Sequence, residues 1–192
     1  FYRRDAQIVY PPVEVENFHK LVKDVKKQDY GLIVSRLVGT KGIEMAIEAQ
    51  KKLGFKLKIV GEAVGKEWQG RENDNGIEWL GRVSDEKLGE LYAGADFFLA
   101  LAEDEDFGMT VVESMACGTP VVAFNGGGYK ETVLDGETGV LFDKYSVDGL
   151  VEAIKKIKKL KLSKKNCYER SLLFSRARFE KEIKELVLKD NN

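Results

Sequence analysis

Short runs of consecutive apolar residues alternate along the chain with longer segments in which apolar residues recur every three or four positions. GLIVS (31–35), KLKIVG (56–61), IEWLGRV (77–83), DFFLALA (96–102), PVVAFN (120–125) and TGVLFD (138–143) read as strands. KGIEMAIEAQKKL (41–53), SDEKLGELYAGA (84–95), the segment that follows EDEDFG, SVDGLVEAIKKIKKL (146–160) and the stretch from about 164 to 188 carry helical spacing, with YKETVLD (129–135) as a short helix. GKEWQGRENDN (65–75) is polar and reads as a short helix and loop. Ser84 is a candidate N-cap, with Asp85 and Glu86 suited to a first turn. Lys87 stands where a capping box wants Glu or Gln, so that box is incomplete.

Continuous apolar strands alternating with helices imply parallel strands covered on both faces, an α/β fold with a doubly wound parallel sheet. Ligands of such sheets sit beyond the carboxyl ends of the strands. Loops 35–42, 61–66, 83–84, 102–108 and 125–130 are therefore where chemistry is expected. Residues 1–20 fall outside the repeating unit, and IVYPPVEVENF reads as a strand end followed by a proline-stiffened connector.

Composition narrows the classes. The chain has 192 residues, 43% hydrophobic and 33% charged, which suits a globular domain. A net charge of −1 gives no bulk argument for a nucleic-acid partner. Two Cys and one His form no zinc spacing, so no metal site is expected, and two lone Cys point to a reducing cytoplasm rather than a disulfide framework. No apolar run approaches the roughly 20 residues of a membrane span, and no leader pattern is visible. The chain opens on Phe1, which reads as an excised piece with something upstream. KKIKKLKLSKK (155–165) is the solvated face of a core helix or, alternatively, a peripheral contact with an anionic membrane.

Two loops carry the candidate chemistry. In SRLVGTKG, Arg36 and Lys41 bracket a turn at a strand's carboxyl end, which suits a diphosphate; the alternative is two solvated cations. In AEDEDFGMT, a helix opened by Phe107 and Gly108 would point free N–H groups at the strand ends, forming an anion or hydroxyl site. Glu105 precedes that helix and Glu113 lies within it. Eight residues at about 100° each leave an offset of roughly 80°, so the two share no stripe, yet both can face one elongated ligand at separate points. The competing account makes the acids helix-start charges and leaves Glu113 solvated. FNGGGYKE (124–131) either lets backbone approach a ligand or is only a permissive turn; it lacks the dinucleotide fingerprint. Trp68, Trp79 and Cys117 read as packing residues, and His19 as part of the connector.

SRLVGTKGIEMAIEA, LKIVGE, IEWLGRVSDEKLGELYAGAD, EDFGMTVVESMACGTPVVAFNGGGYKETVLDGETGVLF and FSRARF, in this order, resemble the carboxyl-terminal domain of family 4 retaining glycosyltransferases of the GT-B fold, over roughly residues 8–187. The resemblance implies a Rossmann-like, nucleotide-sugar-binding half at 21–162. Residues 1–20 would be the interdomain connector from an upstream acceptor-binding domain, and 163–192 a C-terminal helical tail. It implies catalytic parts for Arg36 and Lys41, which would neutralise the donor diphosphate, and for Glu105, the first Glu of the family's spaced pair, which would hold hydroxyls of the transferred sugar without acting as a nucleophile. Phe107 and Gly108 match backbone that contacts the sugar, Met109 and Thr110 amides near the diphosphate, Glu113 the acid that accepts from the ribose hydroxyls, and Val83 backbone near the base. The family is metal-independent and needs no cofactor.

YPPVEVENF resembles connectors of mannosyltransferases in polysaccharide and lipid-linked glycan assembly, so GDP-mannose is the favoured donor, with UDP- or ADP-sugars open. The acceptor would be a saccharide or lipid-linked glycan. The chain departs from the family in LALAEDEDFG, where Pro-Ser is common, and it lacks the acceptor domain with its active-site His, so turnover by the chain alone is not expected. A sugar-nucleotide epimerase domain and a non-catalytic nucleotide-sugar-binding module remain alternatives.

Overall fold

The structure, a computed structural model, describes residues 6–22, 25–64, 68 and 70–189. Its elements in chain order are α1 (Val15–Leu21), β1 (Tyr30–Val34), α2 (Ile43–Leu53), β2 (Lys56–Val60), β3 (Ile77–Gly81), α3 (Asp85–Gly94), β4 (Phe97–Ala100), α4 (Met109–Ala116), β5 (Val121–Phe124), α5 (Tyr129–Thr132), β6 (Gly139–Phe142), α6 (Val147–Lys159), α7 (Lys164–Leu172) and α8 (Arg176–Lys189). β1 begins one residue before its predicted run and ends one residue before it; the other five strands lie within theirs, shorter by one or two residues at one or both ends.

The strands form one parallel six-stranded sheet in the order β3-β2-β1-β4-β5-β6. Alternate residues of each strand feed two separate cores. Leu32, Phe98, Val121 and Ala123 face one, with Leu91 and Tyr92 of α3, Val111, Val112 and Met115 of α4, and Cys167 of α7. Ile33, Phe97, Leu99 and Val122 face the other, with Ile43, Ala46 and Ala49 of α2 and Leu150, Ile154 and Ile157 of α6. This is the doubly wound arrangement that unbroken apolar strands require, because a sheet covered on both sides leaves no polar face. Each fully buried Val, Leu or Ile contributes about 1.5–3 kcal/mol relative to exposure.

Helix ends follow local chemistry. Ser84 caps α3 by accepting from Lys87 N at 3.3 Å, so the single-sided cap forms without its reciprocal partner. Ser146 caps α6 and Ser163 caps α7 in the same way. The lysines of α6 flank a buried apolar stripe.

Part of the expected connector is folded onto the body. Residues 15–21 are helical, Val15 is fully buried, and Val13 bridges to Ser175, with its N–H donating to Phe174 O at 3.0 Å. Pro11 and Pro12 stiffen only the approach; the apolar residues beyond them are drawn onto α3, α4 and α7. Of the short helix and loop expected over 65–75, residues 65–67 and 69 lie outside the described residues, and 71–73 are irregular, as a loop is. Trp68 is buried and lies 5.8 Å from Trp79, ring centre to ring centre, so both tryptophans pack as expected. No helix among the described residues is long and apolar enough to cross a membrane.

Candidate functional site

The chain winds outward from β1 to β3 and then returns to the other side of β1, so the order reverses between β1 and β4. Doubly wound sheets bind ligands at such a switch point. Here the two strands pair only at Gly31 with Phe97 and Leu32 with Phe98, then separate. Ile33, Val34, Leu99 and Ala100 beyond that point line a cavity of about 540 Å³, whose mouth carries Arg36, Lys41, Glu105, Phe107, Gly108, Met109, Thr110 and Tyr129.

Lys41 closes a 3₁₀ turn, Gly39–Lys41, before α2. Gly42 follows at φ 68°, and a Cβ there would lie 2.6 Å from Leu101 O, so only glycine lets this turn press against the end of β4. That approach puts Lys41 Nζ 2.8 Å from Glu105 Oε2, with the two side chains 22% and 24% exposed. The pair is shielded enough to exceed an ordinary surface ion pair and open enough for a ligand to reach it. Arg36 is exposed at the same rim and makes no ion pair among the described residues.

Of the four acids in EDED, Glu103, Asp104 and Asp106 are exposed, and Glu105 alone is half-buried. Helix α4 starts after Gly108, which lies at φ 84° and provides no side-chain cap. The N–H groups of Met109 and Thr110 find no acceptor among the described residues, leaving them with the dipole's positive end for an anion. Phe107 turns its ring inward between Tyr10 and Phe174, at centroid distances of 5.6 and 5.3 Å, so backbone is what it offers the cavity rim.

The glycine-rich turn does something neither sequence reading foresaw. It presses against protein backbone. A Cβ on Gly127 would lie 2.3 Å from Glu105 O, and one on Gly128 2.3 Å from Asp106 O; Gly128 N donates to Glu105 O at 2.7 Å. The turn is a buttress for the Glu105 loop. Tyr129 follows it, is buried, lines the cavity, and sets its hydroxyl 3.5 Å from Glu105 Oε2. Ser35, at the end of β1, also lines the cavity, with a buried Oγ that lacks a hydrogen-bond partner. Sequence reasoning missed both: an aromatic after a glycine run and a serine after an apolar run carry no distinctive signal.

Glu113 and Val83 do not join this cavity's lining. Glu113 is half-buried and accepts a hydrogen bond from Tyr92 Oη at 2.8 Å. Burial pushes its carboxyl above the ordinary range, against the opposing effect of the Tyr92 hydrogen bond, and Asp85 adds to the rise. It is therefore not a solvated surface acid. Val83 packs partly buried against the core that α3 and α4 share. Cys117 is a buried thiol raised to about 12, chiefly by burial, and His19 stacks on Tyr168 at 3.8 Å; neither touches the cavity. Among the described residues, no group of three or more His, Cys, Asp or Glu is placed to hold a metal.

A six-stranded parallel sheet with a cation-and-amide-rimmed crevice at its switch point defines the Rossmann-like class to which one half of a GT-B glycosyltransferase belongs. Comparison with known proteins makes the assignment specific. Residues 14–172 match the family model for glycosyl transferases group 1, and the chain belongs to that family. It is 36% identical over 132 residues to the glycosyltransferase MJ1178 of Methanocaldococcus jannaschii, covering 66% of this chain and 37% of that protein. It is 34% identical over 136 residues to glycogen synthase of Thermus thermophilus, covering 66% and 31%. The chain thus spans about a third of the length of these relatives. Among solved structures, Anabaena HepE in complex with UDP and glucose superposes with a TM-score of 0.77 at 24% identity, over 94% of this chain and 56% of that one. AviGT4, a glycosyltransferase involved in avilamycin A biosynthesis, does so at 0.77 and 24%, over 95% and 57%.

Proposed function

We propose that the chain is the donor-binding half of a family 4, retaining hexosyltransferase that takes a nucleotide-diphosphate sugar and passes the sugar to a saccharide or lipid-linked acceptor. The observation that carries this reading is the convergence of Arg36, Lys41, the open N–H groups of α4 and Glu105 on one cavity at the switch point. Breaking a sugar–diphosphate bond builds negative charge on the leaving phosphate. Fixed cations and unpaired amides placed beforehand stabilise that charge with little reorganisation. Arg36, Lys41 and the Met109 and Thr110 amides take the diphosphate, Glu105 the sugar hydroxyls alongside the Phe107–Gly108 backbone, Glu113 the ribose and Val83 the base.

In this reading the stretch to about residue 20 leads in from an acceptor-binding half, 21–162 is the donor-binding body, and 163–192 is a tail laid back on it. The chain by itself binds donor without turnover, in the cytoplasm or at the cytoplasmic membrane face. The favoured donor is GDP-mannose, on the strength of the YPPVEVENF connector. A UDP-sugar is the second reading, suggested by the UDP and glucose held by HepE.

Calorimetry with GDP, UDP, ADP and their sugars tests the assignment and selects the base. A dissociation constant below about 1 mM, equivalent to about −4.1 kcal/mol, for one nucleotide and its loss in Lys41→Met are expected. Absence of binding by all of them, or an unchanged affinity in Glu113→Ala, would overturn the corresponding part of the assignment.

A further inference from the structure

Two donors converge on the same oxygen of Glu105. Lys41 Nζ lies 2.8 Å and Tyr129 Oη 3.5 Å from Oε2, while Oε1 has no partner among the described residues. We propose that Tyr129 is a positioning residue that holds Glu105 by Oε2 and so leaves Oε1 aimed at a hydroxyl of the donor's sugar. The proposal rests on the donor-site reading above and extends it to a residue outside the spaced acids and cations.

The argument turns on what a ligand does to Lys41. A diphosphate entering the cavity competes with Glu105 for that ammonium, because both are anions within reach of a single point charge. Once Lys41 turns toward phosphate, Tyr129 is the remaining side-chain donor on Oε2. Its hydroxyl is kept protonated: burial first, and the Glu105 charge second, hold it well above the ordinary tyrosine value. The ring cannot drift. It is buried, and a Cβ on Gly108 would lie 2.8 Å from it, so it is wedged against the start of α4. The main chain on either side is fixed as well, since Gly128 N donates to Glu105 O at 2.7 Å. At 3.5 Å the hydroxyl contact is long, which is the ligand-free state of many site hydrogen bonds that shorten when substrate binds.

The readout is the sugar increment, the ratio of affinities for a nucleotide-diphosphate sugar and for the bare nucleotide diphosphate, measured by calorimetry on this chain. Tyr129→Phe keeps the ring and removes the hydroxyl. It should lower the increment by about three- to tenfold, the range of a hydrogen bond to a charged group at less than full strength, while bare-nucleotide affinity changes by less than about twofold. Replacing Tyr129 with 3-fluorotyrosine, a stronger donor of the same shape, should raise the increment and keeps the test available if the Phe variant folds poorly. An unchanged increment in both variants, with nucleotide still bound, overturns the role of Tyr129 and leaves the donor site standing. An equal loss for sugar and bare nucleotide makes Tyr129 merely structural and also overturns it. Failure of the unsubstituted chain to bind any nucleotide overturns the donor-site reading and the proposal together.

Discussion

Glu105 and Glu113 stand on either side of the start of α4 and live in opposite surroundings. Glu105 sits in a loop held from outside by the glycine turn, paired with Lys41, at the mouth of a cavity. Glu113 sits within the helix, half-buried under a tyrosine hydroxyl, with its carboxyl pushed upward by burial. An acid's role is set less by its spacing from a helix start than by whether a cation or a neutral donor meets it. The first arrangement keeps a charge ready for exchange with a ligand. The second stores a charge at a cost to the fold, which a ligand hydroxyl can offset.

The contrast can be broken most forcefully at the buttress. Gly127→Ala places a methyl 2.3 Å from Glu105 O at a residue with φ 47°. The backbone conformation alone costs about 1–3 kcal/mol, and the clash adds to it, so urea unfolding should show the largest loss here. Next comes Tyr92→Phe, which strands the Glu113 carboxylate without its donor. A loss of about 1–3 kcal/mol is expected, read by thermal melting at pH 7, with the cavity around Glu105 unaffected.

Glu113→Gln sharpens the contrast by the sign of its pH dependence. A carboxyl raised in the folded state contributes stability that is present at low pH and lost as pH rises through its folded value. The amide variant should therefore melt above the unsubstituted chain at pH 7, and the two should converge as pH falls into the ordinary carboxylate range, even as ribose-dependent affinity drops.

Lys27 gives the cationic counterpart away from the site. It donates to Thr119 Oγ1 at 2.7 Å, and its ammonium is lowered to about 8 by burial, with Lys164 adding to the effect. A lysine lowered in this way gains stability for the fold as pH rises from about 8 toward its ordinary value of 10.5. Lys27→Met should accordingly cost more at pH 10 than at pH 7 in paired melts. The smallest effect is expected at Asp104→Asn, an exposed acid beside Glu105, with a change within about 0.5 kcal/mol and no change in nucleotide affinity.

The alternation of apolar runs carried the class of fold, the parallel sheet and six strand centres, because burial on both faces leaves its mark in every strand regardless of neighbours. It also carried the strand-end loops, three of which line the cavity, since those are fixed once strands and helices alternate. The Ser84 cap was legible because capping is settled within four residues. What lay beyond local pattern was missed. The proline-stiffened stretch gave no sign of the helix at 15–21, which a buried Val15 and the bridge from Val13 to Ser175 hold against the body. The glycine turn read as a ligand approach or a permissive turn, and neither reading showed that it lies against the 105–106 backbone.

The sequence by itself determined the sheet, the helices and a short roster of charged residues at strand ends, because periodicity and capping are local properties of the chain. Only the tertiary structure decided which of those residues meet. Lys41 finds Glu105 across 64 positions of sequence because Gly42 lets one turn close on the end of β4. Tyr129 finds the same carboxylate because three glycines let two stretches of backbone touch. Contacts of that kind depend on the close approach of segments far apart in the chain, and no pattern within either segment encodes them.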